Sequence, residues 1–273
     1  MNDILLSARL SVCYAGKAVL RNVELDVRAG EILGLVGQSG SGKSTLAMAI
    51  LGLLDKKRAR CTGSIEFQGR DLLRLREREL RDLRGRELAL VLQSPLSSLN
   101  PALRIQTQLR EAWRAHAAGK REQCERAMAA ALTSVSLPSD EEFLRKYPSE
   151  MSVGQAQRVL IAMAVMHRPA LLIADEATSA LDVITQSEIL ALFRQLSQET
   201  GSALLYISHD LASVAGICDR VAILHEGNIV ECDETRSVLL RPQHEYTRRL
   251  MAAMPKLPES AILHPSKSAA ASA

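Results

Sequence analysis

The chain has 273 residues, of which 47% are hydrophobic and 3% aromatic, so it can bury a large core of aliphatic side chains. The net charge of +3 is ordinary for a soluble protein and does not call for a nucleic-acid partner. Five cysteines without a CxxC pair argue against a disulfide framework or zinc site, and no apolar run reaches the about 18 residues of a membrane span. With no signal-peptide pattern at the N-terminus, we expect a reducing, cytosolic compartment.

The first elements along the chain are predicted strands. Residues 4–14 and 18–31 alternate apolar and polar side chains around a turn at Ala15-Gly16-Lys17, which predicts an antiparallel pair. Residues 31–37 form a continuous apolar run that ends in glycine, which is typical of a strand buried on both faces. A helix is predicted over 45–54.

The loop between this buried strand and the helix has the pattern GxxxxGK[ST], which is typical of phosphate binding. It consists of Gly37, Gln38, Ser39, Gly40, Ser41, Gly42, Lys43, Ser44 and Thr45. The glycines let backbone N–H groups surround the phosphates, and the helix N-terminus adds a positive dipole. Lys43 can reach the β- and γ-phosphates, and the Ser44 hydroxyl can bind Mg²⁺. The sequence therefore predicts a MgATP site.

The middle of the chain is predicted to be largely helical. After a strand and turn over 63–73, residues 70–87 are rich in arginine with interleaved acids and leucines at helical spacing. This favours a solvated amphipathic helix with i,i+4 ion pairs, with a nucleic-acid patch as the alternative. Residues 101–148 lack strand patterning and predict an inserted helical subdomain.

The second motif that carries candidate reactive groups is residues 171–176, with the sequence LLIADE. It is a hydrophobic strand that ends in two carboxylates, Asp175 and Glu176. Asp175 can hold Mg²⁺, and Glu176 can polarise the attacking water. Strands and helices then alternate: a helix over 187–201, a strand over 203–209, a helix over 211–219 and a hairpin over 220–233. This order predicts a mostly parallel sheet. The tail from 255 to 273 is predicted to be disordered.

Beyond these two elements, residues 4–250 resemble the ABC ATPase family. The loop matches the Walker A motif and residues 171–176 match Walker B. The other motifs are matched by the Q-loop glutamine Gln93, the switch histidine His209, the adenine-stacking aromatic Tyr14, the D-loop Ser179–Asp182 and the signature Met151–Gln155. The resemblance implies an α/β fold, namely a RecA-like P-loop NTPase core with an N-terminal antiparallel β subdomain and an inserted helical subdomain. The expected domain is 1–254, with the insert at about 98–150.

The resemblance also implies roles for these residues. Catalysis would depend on Glu176, His209, Gln93 and Lys43, and Mg²⁺ on Ser44, Gln93 and Asp175. In the family, ATP lies between the Walker A loop of one subunit and the signature of a second. That arrangement would place Ser152, Gly154, Gln155 and Asp182 at a neighbour's ATP. Tyr14 could instead be an ordinary strand aromatic.

One departure from the family pattern concerns the signature. Val153 replaces its usual first glycine, and valine does not readily adopt positive φ. If the position needs a glycine conformation, the signature is weakened; if it is ordinary helix entry, valine is harmless. The sequence leaves both open, together with the choice between a homodimer and a heterodimer.

Three segments resemble the peptide and nickel importer branch: SPLSSLNP after Gln93, LDVITQSEIL after the D-loop and RPQHEYTRRLMAAMP near the end. The implied partners are transmembrane permease subunits, an external solute-binding protein and a second ATPase subunit. The implied location is peripheral, on the cytoplasmic face of the membrane. Because no cysteine follows Cys232, we expect no iron–sulfur cluster. The alternatives are an ATPase subunit of a soluble complex such as carbon–phosphorus lyase, or an ABC ATPase of another class.

Overall fold

The computed structural model of the protein describes residues 3–252. The strands in this range are, in chain order, β1 (Ile4–Tyr14), β2 (Lys17–Arg28), β3 (Ile32–Val36), β4 (Ala59–Phe67), β5 (Arg70–Asp71), β6 (Leu88–Val91), β7 (Leu171–Asp175), β8 (Ala203–Ser208), β9 (Arg220–His225) and β10 (Asn228–Glu234). The helices are α1 (Lys43–Ile50), α2 (Glu77–Leu83), α3 (Pro95–Ser98), α4 (Ile105–Arg114), α5 (Arg121–Ser134), α6 (Glu141–Arg145), α7 (Val153–Val165), α8 (Val183–Thr200), α9 (Leu211–Ile217), α10 (Thr235–Leu240) and α11 (Glu245–Ala252).

The first sheet is antiparallel, with the order β2-β1-β4-β5. The predicted hairpin at its start is confirmed, and Tyr14 pairs with Lys17 across the turn. Both turn residues, Ala15 and Gly16, have positive φ, as two-residue hairpin turns that match the strand twist require.

The second sheet has the order β10-β9-β3-β8-β7-β6 and is parallel apart from its edge strand β10. Every residue of β3, β7 and β8 is buried, because both faces of the sheet are covered. One face packs against α1 and the antiparallel sheet. The other packs against α8, α9 and the helices that precede β7. The predicted mostly parallel core and N-terminal antiparallel sheet are thus confirmed.

Helices and turns fill the chain between β6 and β7. Their buried side chains, such as Ile105, Leu109 and Phe143, belong to the same hydrophobic cluster as one face of the parallel sheet. Helix α7 joins the two parts, since it contacts α3, α4 and α5 as well as β6.

Local predictions were wrong in the arginine-rich stretch. Instead of one helix, residues 70–87 form strand β5, a 3₁₀ turn at Leu72–Arg74 and the seven-residue helix α2. The ion pairs of Arg74 with Asp71 and of Arg76 with Glu79 are i,i+3 pairs rather than i,i+4 pairs. Strand β6 and helices α10 and α11 were not predicted, and α8 begins four residues earlier than expected.

The predicted domain limits of 1–254, with a helical insert at about 98–150, stay a prediction. The expected disordered tail, 255–273, lies outside the described residues. Across 3–252, no helix combines the length and apolar character that crossing a membrane would need.

Candidate active site

The candidate residues converge at one edge of the parallel sheet. The glycine-rich loop follows β3, Asp175 ends β7, His209 follows β8, and Gln93 lies two residues after β6. These four strands are parallel neighbours in the order β3-β8-β7-β6, so their carboxyl ends share one edge. Ligands of open α/β sheets bind at this edge.

The loop holds Lys43 with its ammonium group turned inward. Lys43 is the first residue of α1 and is 5% exposed. Its Nζ donates hydrogen bonds to the carbonyl oxygens of Gly37, at 2.9 Å, and Gln38, at 3.1 Å. Because the charge is satisfied by loop carbonyls rather than by bulk water, it is fixed beside the N-terminus of α1, where anions are stabilised.

The loop is also packed tightly against its neighbours. A Cβ atom at Gly37 would lie 2.2 Å from the carbonyl oxygen of Leu224 in β9, so only glycine fits there. At the other end of the loop, a Cβ atom at Gly42 would lie 2.6 Å from Cδ2 of Leu20 in β2. Strands from both sheets therefore determine where the loop lies.

Asp175 and Ser44 form a candidate site for a hard cation. Asp175 Oδ1 is buried and has no hydrogen-bond partner among residues 3–252. Burial is the main effect on the pKa of this carboxyl and raises it. The Ser44 hydroxyl and the Lys43 charge act to lower the pKa, whereas the Glu176 charge acts to raise it further. An unpaired buried carboxylate oxygen beside a hydroxyl fits the oxygen ligands that Mg²⁺ prefers. Among residues 3–252, no group of three or more His, Cys, Asp or Glu is arranged to hold a metal ion.

Glu176 lies at the centre of the charged groups. Its Oε1 is 3.6 Å from Lys43 Nζ, and its Oε2 is 3.5 Å from His209 Nδ1. Its φ is +48°, a conformation that costs a residue with a bulky side chain about 1–3 kcal/mol. A hydrogen bond from its N–H to the Ile207 carbonyl oxygen (3.0 Å) and two from Ser179 to its own carbonyl oxygen hold this strained backbone.

Gln93 and Tyr14 lie at the periphery of this group. Gln93 is exposed and follows the edge strand β6, next to β7. Tyr14 is half-buried at the end of β1 and packs against the cluster that contains the antiparallel sheet. Its hairpin partner β2 carries the Leu20 side chain that contacts the loop at Gly42.

The predicted signature forms the N-terminus of α7. Ser152 is the N-cap: its Oγ accepts from the Gln155 N–H at 3.2 Å, and Gln155 Oε1 accepts from the Ser152 N–H at 3.1 Å. This capping box leaves the Ser152 hydroxyl hydrogen free to donate. Val153 is the first helical residue and has no positive φ, so the position is ordinary helix entry.

The first turn of α8, which follows the predicted D-loop, lies beside this helix start. A Cβ atom at Gly154 would lie 2.8 Å from Thr185 Cγ2, so α7 and α8 meet here. Asp182 caps α8: its Oδ1 accepts from the N–H groups of Ile184 and Thr185, and its Oδ2 from the Thr185 hydroxyl at 2.7 Å. Hydrogen bonds from the Thr185 backbone and side chain lower the pKa of Asp182.

The predicted residues thus form two groups. Lys43, Ser44, Asp175, Glu176 and His209 surround one point at the sheet edge. The residues around the starts of α7 and α8 form the other, and in the described part of the chain no hydrogen bond joins Ser152 or Gln155 to Lys43, Glu176 or His209. Sequence reasoning missed the bond from Ser179 to Glu176. It also missed the capping box, for which the pattern S-x-x-Q was the available signal.

Comparison with known proteins gives concordant matches. A profile of the family described as ABC transporter matches residues 20–179. The oligopeptide transport ATP-binding protein OppD of Salmonella typhimurium is 42% identical over 87% of this chain and 71% of its own length. The dipeptide transport ATP-binding protein DppD of Bacillus subtilis is 38% identical over 89% of this chain and 73% of its own.

A solved structure is also similar. It is the dimeric post-hydrolysis state of the ATP-binding cassette MJ0796 bound to ADP and Pi, with a TM-score of 0.72 and 27% identity over 84% of this chain and 98% of that one.

Proposed function

The chain belongs to the ABC transporter family of ATP-hydrolysing proteins, and from this premise we propose that it powers an importer of di- or oligopeptides. The observation that carries the proposal is the convergence of Lys43, Glu176 and His209 at one sheet edge in a chain similar to peptide-transport ATP-binding proteins. Nickel is the second candidate solute, because the importer branch resembled in sequence includes nickel importers.

We assign ATP to the glycine-rich loop, Gly37 to Thr45. The Lys43 ammonium and the N–H groups at the start of α1 would bind the β- and γ-phosphates, and Tyr14 would stack on adenine. Ser44, Asp175 and Gln93 would hold Mg²⁺, which neutralises charge on the phosphate oxygens. The buried, unpaired Asp175 Oδ1 supports this ligand set.

We assign activation of the attacking water to Glu176. Its carboxylate lies between Lys43 and His209, at 3.6 and 3.5 Å, so the same edge that holds the phosphates holds the group that orients water. His209 would position the Glu176 carboxylate and the γ-phosphate. This arrangement resembles other phosphoryl-transfer sites, where catalysis depends on positioning and electrostatics.

A second ATPase subunit would complete the site. The exposed start of α7 offers the Ser152 hydroxyl and free N–H groups to an anion that lies on another molecule. Beside it, Val183 and Ile184 are 82% and 74% exposed, and Val153 is 38% exposed. Apolar side chains exposed beside a polar anion-binding helix end favour a protein interface. The dimeric MJ0796 cassette supports the same assignment.

Permease subunits would bind near Gln93. Leu92 and Leu96, on either side of the Gln93 segment, are 39% and 46% exposed. Movement of Gln93 on ATP binding would therefore be transmitted to whatever covers these two leucines. Attachment through permeases would place the chain peripherally on the cytoplasmic face of the membrane, with an external solute-binding protein delivering the solute.

Uptake assays test the solute. Cells carrying Glu176→Gln in place of the wild-type chain should lose uptake of labelled di- and oligopeptides and keep nickel uptake. Loss of nickel uptake with normal peptide uptake would favour the second candidate. If neither changes and the chain co-purifies with soluble enzyme subunits instead of membrane proteins, the importer assignment is wrong.

A further inference from the structure

Helix α11, the last helix within residues 3–252, packs on the β9–β10 hairpin through an aromatic stack. The Tyr246 ring lies over the His225 ring with centroids 3.7 Å apart and planes 17° apart. Tyr246 is only 9% exposed. On β10, the Glu231 carboxylate accepts hydrogen bonds from the N–H groups of Gln243, at 2.8 Å, and His244, at 3.1 Å. The start of α11 is therefore fixed to both strands of the hairpin.

Strand β9 of the same hairpin also contacts the phosphate loop, Gly37 to Thr45. His225 directly follows Leu224, whose carbonyl oxygen approaches Gly37 so closely that no Cβ atom fits between them. The strand that carries the stacked ring is thus the one that limits where the first residue of the loop can lie.

The hairpin turn also contacts β2, the second strand that packs against the loop. We call Leu224 and Leu20, which lie against Gly37 and Gly42, the two walls of the loop. The Gly227 carbonyl oxygen accepts a hydrogen bond from the Arg21 N–H at 2.8 Å, and a Cβ atom at Gly227 would lie 2.3 Å from the Val19 carbonyl oxygen. The next residue on β2, Leu20, contacts Gly42 at the other end of the loop. A shift of the hairpin would therefore move both walls of the loop together.

We propose that Tyr246 and His225 are positioning residues for nucleotide binding, which act by holding the hairpin against the phosphate loop. The inference depends on the assignment of ATP to that loop. Backbone N–H groups bind phosphate only when they converge on it, so a loop with a displaced wall binds less tightly. Undocking of α11 would weaken ATP binding without removing any group that contacts ATP.

Nucleotide titration of the full chain with a fluorescent ATP analogue tests this. Tyr246→Leu, which keeps an apolar side chain but removes the stack, should raise the Kd about three- to tenfold. Tyr246→Phe keeps the stack and should retain the wild-type Kd, since the Tyr246 hydroxyl is buried without a hydrogen-bond partner among residues 3–252. His225→Leu, at a less buried position, should match Tyr246→Leu. At saturating ATP, kcat should stay within about twofold for all three variants, because the reacting groups are untouched.

Phe143→Leu is the matched control. It removes a buried aromatic ring from α6, far along the chain from the hairpin. It should lower the Tm and leave the Kd unchanged. The proposal is overturned if Tyr246→Leu and His225→Leu lower the Tm but bind ATP as the wild type does. A failure of the loop assignment itself would look different, since Lys43→Ala would then also bind ATP normally.

Discussion

Glu176 combines a strained backbone with contacts to two other charged or titratable side chains. Its φ is positive, and its carboxylate lies between Lys43 and His209. Strain of this kind persists only where the surroundings fix it, and it is concentrated at functional sites. The hydrogen bonds from Ser179 and to Ile207 supply that restraint.

Replacement of Glu176 by Gln should separate ATP binding from hydrolysis. The amide has the shape of the carboxylate but cannot accept a proton from water, so we expect turnover to fall at least 100-fold. ATP affinity should be kept or increased, because one negative charge beside the phosphates is removed. Single-turnover hydrolysis and nucleotide retention measure the two effects. Wild-type turnover in this variant would contradict the assignment.

At this scale, the sequence predicted the grouping of Lys43, Asp175, Glu176 and His209, because each lies at the end of a strand of one parallel sheet or in the segment that follows it. It could not predict the positive φ of Glu176 or the hydrogen bonds with Ile207 and Ser179 that accompany it. Nor could it show that Asp175 Oδ1 is unpaired, since that depends on how the chain packs around it.

Helix α7 answers the question that Val153 raised. Because Val153 is the first residue of an ordinary helix, glycine is not required there. Val153→Gly should therefore not increase ATP hydrolysis and should lower the free energy of unfolding by about 0.5 kcal/mol, the difference in helix propensity. Steady-state hydrolysis and chemical denaturation measure these effects. A several-fold gain in hydrolysis would mean that the position needs a glycine conformation in the assembled site.

A histidine pair in the helical region between β6 and β7 predicts that stability depends on pH. The His116 ring meets the His167 ring edge-on at 5.5 Å, and burial, His167 and Arg86 lower the pKa of His116 against the opposing effect of Asp82. The unfolded chain, with an ordinary histidine pKa of about 6.5, then binds more protons than the folded one, so stability falls as the pH drops below that value.

Substitution of His116 tests this effect. In His116→Gln, the fall in Tm between pH 7 and 5.5 should be smaller than in the wild type. From pH 7.5 to 8.5, where both carry a neutral side chain, the difference in Tm between variant and wild type should stay constant. A wild-type slope in the variant would show that other groups cause the acid sensitivity.

Element-level prediction succeeded where the pattern was long and failed where it was short. The eleven-residue strand β1 was predicted from its alternating apolar and polar residues, and β3 from its continuous apolar run. The four-residue strand β6 was missed because it follows an arginine-rich stretch and has no alternation. Helix α11 was also missed; it is eight residues long and packs on the hairpin through Tyr246.

For the whole molecule, the exposed pair Val183 and Ile184 predicts self-association or pairing with a related subunit. Val183→Asp should lower ATP hydrolysis at least tenfold, because a carboxylate buried at an interface without a partner costs more than the about 1.4 kcal/mol that corresponds to a tenfold change. ATP binding by the separate chain should be unchanged. Ile4→Asp is the matched control, since Ile4 is 57% exposed on the antiparallel sheet. Equal hydrolysis by the two variants would contradict the interface.

The family and fold were predictable from sequence because the motifs lie at fixed places along a recognisable alternation of strands and helices. The solute was not, because in the proposed importer the permease and solute-binding subunits, rather than this chain, would contact it. If the proposed second ATPase subunit exists, the surface around α7 and α8 decides whether it is another copy of this chain, and the sequence of one chain does not identify that partner.

In the proposed site, Lys43 holds MgATP in the loop after β3. Equilibrium titration of the full chain with ATP checks this assignment by comparing wild type, Lys43→Ala and Lys57→Ala, in which an exposed lysine outside the loop is removed. We predict that Lys43→Ala weakens ATP binding at least tenfold, as expected for loss of a charge-assisted phosphate contact, and that Lys57→Ala binds as wild type. Wild-type affinity in Lys43→Ala would contradict the account.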